Sequence, residues 1–198
     1  MNSITIHKQQ YEYHSWEMLG AEMFSLAKKI LEDGRKFDRI IALAKGGLTF
    51  SRSLVDYLDV KGLSSIQIEF YTGINTTAKT PVVTQSLPTS IQDERVLIFD
   101  DIVDKGETMQ FAVEYVKYYG VKEITTAALV SKPWSKFKVD YSARSSEAWV
   151  IFPHEVRETI HLLRETWSAR GDQPDMIRAQ LLDIGFPEAE VEFFTTIK

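Results

Sequence analysis

Two hydrophobic rhythms alternate along most of the chain. Short unbroken apolar runs, such as Ile40-Ile41-Ala42-Leu43 and Val96-Leu97-Ile98-Phe99, give way to stretches where apolar residues return every three or four positions. The first rhythm is that of a strand buried on both faces, the second that of a helix with one buried face. Strands are predicted over residues 39–44, 65–71, 96–99, 123–130 and 149–152. Helices are predicted over 15–31, 48–58 and 108–120. Ser15 caps the first helix and Gly34 closes it, while Gly120 closes the third. Strands alternating with helices predict an α/β fold, with a mostly parallel central sheet flanked by helices on both faces.

Two segments break the alternation. Residues 72–94 are rich in Thr, Ser, Asn and Pro and have weak periodicity, so they read as a lid or binding loop. After His154 the chain is helical in pattern throughout. Val156, Ile160, Leu163 and Trp167 share one face, a break follows at 171–174, and apolar residues from Met176 to Phe193 suggest two further short helices. The expected organisation is one domain over 1–155 and a helical C-terminal extension over 156–198. The extension suits packing on the domain, a dimer surface or another protein, and the pattern does not choose among them.

Composition removes several classes of chemistry. A chain of 198 residues can bury a sizeable core, and its net charge of −5 argues against broad nucleic-acid binding, which needs a basic face. The absence of cysteine excludes disulfides, thiolate catalysis and zinc–thiolate sites. No apolar run approaches bilayer length, and residues 1–10 lack the apolar core of a signal peptide. A cytoplasmic protein with no membrane partner is expected. His7, His14, His154 and His161 show no metal-binding spacing, and neither a Gly-x-Ser-x-Gly elbow nor a Gly-x-x-x-x-Gly-Lys-Ser/Thr loop occurs.

What remains is concentrated in residues 96–109. An apolar run reaches Asp100, Asp101 and Asp104, then Lys105, Gly106, Glu107 and Thr108 lead into the helix that carries Met109, Ala112, Val113 and Val116. The first N–H groups of a helix lack partners within it and carry partial positive charge, so they bind a phosphate without a basic side chain. Paired carboxylates suit other groups, namely ribose hydroxyls and a hydrated divalent cation. The segment therefore fits a phosphorylated ligand that carries hydroxyls.

These residues resemble the phosphoribosyl diphosphate (PRPP) signature of type I phosphoribosyltransferases, two acids followed by Asp-Thr-Gly-x-Thr. Here that ending reads Asp104-Lys105-Gly106-Glu107-Thr108, with lysine in place of the first threonine and an added acid at Glu107. Three further segments resemble the xanthine–guanine branch of that family. His14-Ser15-Trp16-Glu17-Met18-Leu19 is similar to its opening helix. Lys45-Gly46-Gly47-Leu48 is similar to its Ser-Arg-Gly-Gly-Leu pyrophosphate loop, with lysine for arginine. Ser131-Lys132-Pro133 and Trp149-Val150-Ile151-Phe152-Pro153-His154-Glu155 are similar to its purine-binding segments, although the branch often ends Pro-Trp-Asp. The four motifs occur in the family's order between residues 14 and 155.

The resemblance implies transfer of ribose 5-phosphate from PRPP to a 6-oxopurine (guanine, hypoxanthine or xanthine), with release of pyrophosphate. It implies Mg²⁺, organised by Asp100 and Asp101 through water, and a mobile loop at 72–94. It assigns the 5′-phosphate to Lys105, Gly106, Glu107 and Thr108, and pyrophosphate to Lys45, Gly46 and Gly47. Asp104 would stand at the imidazole edge of the purine as the catalytic group. Lys132 would read the 6-oxo oxygen, Trp149 would stack on the base, and the backbone of Val150 would bond its exocyclic position. An ammonium favours a 6-oxo acceptor over a 6-amino donor, which discriminates against adenine. A homo-oligomer, dimer or tetramer, is expected. The rival expectation is a regulator on the same fold that senses PRPP or a nucleotide without turnover, since fold does not fix function.

Overall fold

Ile40, Ile41 and Ala42 have no exposed surface, which fits a strand covered on both sides. In the computed structural model, which describes residues 3–72 and 79–197, they belong to β3 (Arg39–Ala44). Two compact units are present, residues 20–146 and residues 1–19 with 147–198. The division falls inside α1 (Trp16–Glu32).

The larger unit is built on a six-stranded sheet. Its strands are β3, β4 (Gly62–Thr72), β5 (Lys79–Gln85), β6 (Arg95–Val103), β7 (Glu123–Ser131) and β8 (Tyr141–Ser145), in the order β5-β4-β3-β6-β7-β8. All neighbours are parallel except β5, which runs antiparallel to β4. Ile41, Leu43, Val96 and Ile98 point to the face covered by Met109, Ala112 and Val116 of α3 (Glu107–Lys117). α2 (Gly46–Tyr57) packs on β3, β4 and β6. The caps follow the sequence: Ser15 Oγ accepts the Met18 N–H at 3.2 Å, and Gly34 and Gly120 end α1 and α3 at φ of +69° and +71°.

The smaller unit joins β1 (Ile4–Ile6), β2 (Gln9–Tyr13) and β9 (Trp149–Ile151) into a three-stranded sheet. Against it pack α4 (Val156–Ala169), α5 (Pro174–Ile184) and α6 (Glu188–Thr196), with Trp167, Ile160, Leu181 and Val191 fully buried beside Ile6, Tyr11 and Ile151. The sequence placed a boundary at 155/156 from the helical pattern of the tail. The compact units follow strand pairing, which ties β2 to β9 and so groups both ends of the chain.

Six strands differ from expectation. The acidic pair was expected in a turn after residue 99, yet β6 continues to Val103. It is flanked by β3 and β7, and Asp100, Ile102 and Val103 still pair with Ala128, Val130 and Ser131. The strand at 149–152 was expected in the main sheet but pairs with β2, and the main sheet ends instead on β8, whose Ser142, Arg144 and Ser145 hide it from a hydrophobic pattern. Segment 72–94 was expected to be structureless. Its described part holds β5, an edge strand that tolerates Pro81, while residues 73–78 lie outside the described residues. β1 and β2 escaped notice because they are short and largely polar.

Candidate active site

The order of the main sheet reverses direction between β3 and β6: the chain leaves β3 through α2 toward β4, and leaves β6 through α3 toward β7. The carboxyl ends of two parallel strands that diverge this way leave a crevice, where α/β sheets bind ligands. Both connections that border it carry the residues singled out by sequence.

On the β3 side, Lys45 is exposed and stands at the N-cap of α2, after a cis Ala44–Lys45 peptide. The N-cap residue makes no side-chain cap bond, and the Gly47 N–H at the start of this helix is directed to the Asp100 carboxylate. Gly46 lies directly against the Asp101 carboxylate. A Cβ at Gly47 would stand 2.5 Å from the Phe99 carbonyl oxygen and 3.1 Å from the Asp100 Cα. The two glycines are therefore needed for the α2 N-terminus to sit on the end of β6.

On the β6 side, Asp100 is half-buried and Asp101 buried. The Asp101 N–H donates to Asp100 Oδ1 at 3.0 Å, and the Ile102 N–H to Asp101 Oδ1 at 2.7 Å. Burial, and then the neighbouring Asp101 charge, push the Asp100 carboxyl well above the usual carboxylate range, while backbone N–H groups of Asp101 and Gly47 oppose the shift. A cation delivered with a substrate would relieve this strain between like charges. The donor set fits magnesium in that respect, since Mg²⁺ is commonly held by one or two carboxylates, water and substrate phosphates.

Asp104, Lys105 and Glu107 are exposed, Thr108 is half-buried, and Gly106 is buried at φ +89° as the N-cap of α3, again with no side-chain cap. Together with Phe70 of β4, Asp100 and residues 102–109 line an open cleft of about 270 Å³. The space at Gly106 is filled from the loop after β7: a Cβ there would meet Phe137 Cβ at 2.5 Å and Ser135 Oγ at 2.9 Å. That loop begins with Lys132, buried, whose N–H donates to the Val103 carbonyl at 2.9 Å.

The larger unit thus gathers Gly46, Gly47, Asp100, Asp101, Asp104 to Thr108 and Lys132 around the ends of three adjacent strands. Trp149 and Val150 belong to the smaller unit. Trp149 is 42% exposed with its ring 6.3 Å from that of Tyr11, and Val150 is buried on β9, an edge strand of its sheet. Sequence reasoning missed Phe70 and Trp134. The Trp134 indole N–H donates to Asp104 Oδ1 at 2.7 Å, and its ring faces the Lys132 ammonium, 5.5 Å from the centroid. The one available signal was a tryptophan two residues after Lys132, in a loop at the carboxyl end of a buried strand.

Known proteins resemble the chain over the same region. The phosphoribosyl transferase domain model matches residues 9–159. A hypoxanthine-guanine phosphoribosyltransferase of Bacillus subtilis is 29% identical over 126 residues, covering 63% of this chain and 66% of the relative. A xanthine-guanine phosphoribosyltransferase of Gluconobacter oxydans is 26% identical over 151 residues, 75% of this chain and 85% of the relative. Among solved structures, a purine phosphoribosyltransferase from Pyrococcus horikoshii superposes with a TM-score of 0.67 at 38% identity, covering 72% of this chain and 93% of the other.

Proposed function

Because the chain belongs to the phosphoribosyl transferase domain family, we propose that it transfers ribose 5-phosphate from PRPP to N9 of a 6-oxopurine and releases pyrophosphate. The observation that carries this reading is the crevice at the β3/β6 divergence, where two helix N-termini flank an acidic pair. Such a reaction asks the protein to hold two reactants in line and to stabilise charge, without a protein nucleophile.

In this reading the α3 N-terminus, with Lys105, Gly106, Glu107 and Thr108, receives the 5′-phosphate mainly through backbone N–H groups. The α2 N-terminus, with Lys45, Gly46 and Gly47, receives the diphosphate. Asp100 and Asp101 hold the ribose hydroxyls and water on Mg²⁺, which when bound neutralises the diphosphate. Asp104 stands at the imidazole edge of the base and steadies charge or takes a proton there. Lys132 donates to the 6-oxo oxygen, while the stacking and exocyclic roles that the resemblance gives Trp149 and Val150 fall on the smaller unit. Lys105 keeps its backbone N–H where the family has a threonine, and both Lys105 and Glu107 have exposed side chains. We carry with this reading a cytoplasmic location and a homo-oligomer, and no helix among the described residues is long and apolar enough to cross a membrane.

The test is direct. Purified protein with Mg²⁺ and PRPP should consume guanine, hypoxanthine or xanthine and release pyrophosphate in equal amount. Measurable PRPP binding with no turnover on all three would replace the enzyme by a sensor on the same fold.

A further inference from the structure

Asp104 sits on an exposed loop, where an unsupported carboxylate would be hydrated and free to rotate. One neighbour restrains it. The Trp134 indole is a donor only, so its 2.7 Å bond to Oδ1 fixes a carboxylate oxygen and leaves Oδ2 turned to other partners. The face of the same ring lies 5.5 Å from the Lys132 Nζ, within the range of a cation–π contact, and Lys132 itself is only 6% exposed. Trp134 is 53% exposed, so core packing does not explain it.

The ring is held by backbone bonds on both sides. The Lys132 N–H donates to the Val103 carbonyl at 2.9 Å, the Ser135 N–H to the Lys132 carbonyl at 3.0 Å, and the Lys136 N–H to the Lys105 carbonyl at 3.2 Å. The loop after β7 is thereby fastened to both sides of Asp104. We infer that Trp134 is a positioning residue: its edge orients the Asp104 carboxylate and its face orients the Lys132 ammonium, so that one indole sets the spacing between the two groups. This rests on the reading above, in which Asp104 and Lys132 meet the imidazole edge and the 6-oxo oxygen of one base. The indole would then fix the distance at which a purine is recognised, without touching the reacting atoms.

Two variants separate the edge from the face. Trp134→Phe keeps a ring for Lys132 and removes the N–H. Loss of one hydrogen bond to a charged group should lower kcat about ten-fold, with the KM for PRPP and the preference for 6-oxopurines over adenine retained. Trp134→Leu removes both contacts and should also erode that preference. In an Asp104→Ala background, Trp134→Phe should cost no further activity, because the bond it removes no longer has an acceptor. A merely structural tryptophan would give losses that multiply across the two sites, or a change in melting temperature with kcat unaffected, and either result overturns the inference. An inactive parent protein would fail the proposed reaction itself, and the inference with it. An active parent with an unimpaired Phe variant fails the inference alone.

Discussion

Asp100 and Asp101 adjoin in sequence yet differ in setting, the first pushed toward its neutral form by burial and by the second. That pair, Gly46, Gly47 and Gly106 were legible beforehand because their chemistry is local: acids and glycines at a strand-to-helix junction mean the same thing in most folds. Trp134 was not legible, since its role depends on a loop from β7 folding back onto the loop after β6. Three substitutions test this scale. Gly106→Ala adds a side chain at φ +89° against Phe137 and should destabilise the protein by about 2–4 kcal/mol in denaturant melts, with PRPP binding lost. Asp104→Asn should lower kcat by about 100-fold with little change in PRPP affinity, and an unchanged rate would remove Asp104 from the mechanism. Lys132→Ala should narrow the preference for 6-oxopurines over adenine, as read from kcat/KM for the two bases.

The apolar centres of strands buried on both faces are legible in the sequence, whereas the polar end of β6 and the edge strands are not. β3 was predicted residue for residue, because nothing polar interrupts it. β5 and β8 border the main sheet, and their Thr, Ser and Pro resemble loop composition. The starts of β3 and β6 are fastened by Asp38, which accepts from the Arg95 side chain at 2.8 and 3.0 Å and from its backbone N–H at 2.8 Å. The side-chain bonds to Arg95, then that backbone bond, hold the Asp38 carboxyl well below its ordinary value of 3.8. A depressed carboxylate contributes stability that is present above its unfolded value and is lost as pH falls toward the folded one. Asp38→Asn should therefore be less stable than the parent at pH 7, by a small margin because the pair is substantially exposed. The margin should narrow steadily in urea melts as pH drops below 3.8.

At the scale of the molecule, the amphipathic pattern after residue 155 announced helices but not their partner. β1 and β2 supply that partner, although their own pattern is too short to be read. Trp167, Ile160 and Leu181 close over Ile6, Tyr11 and Ile151, so the helices cover a sheet that would otherwise be bare. A chain cut after residue 155 should accordingly aggregate or bind a hydrophobic dye. A soluble monomer with native melting behaviour would show that α4 to α6 are dispensable to that sheet. The transfer chemistry is tested by comparing two bases. With Mg²⁺ and PRPP, kcat/KM for a 6-oxopurine should exceed that for adenine by at least about 100-fold, because an ammonium donates to a 6-oxo acceptor and meets a second donor in a 6-amino group. Equal rates for the two bases, or turnover of neither, would rule out a 6-oxopurine transferase.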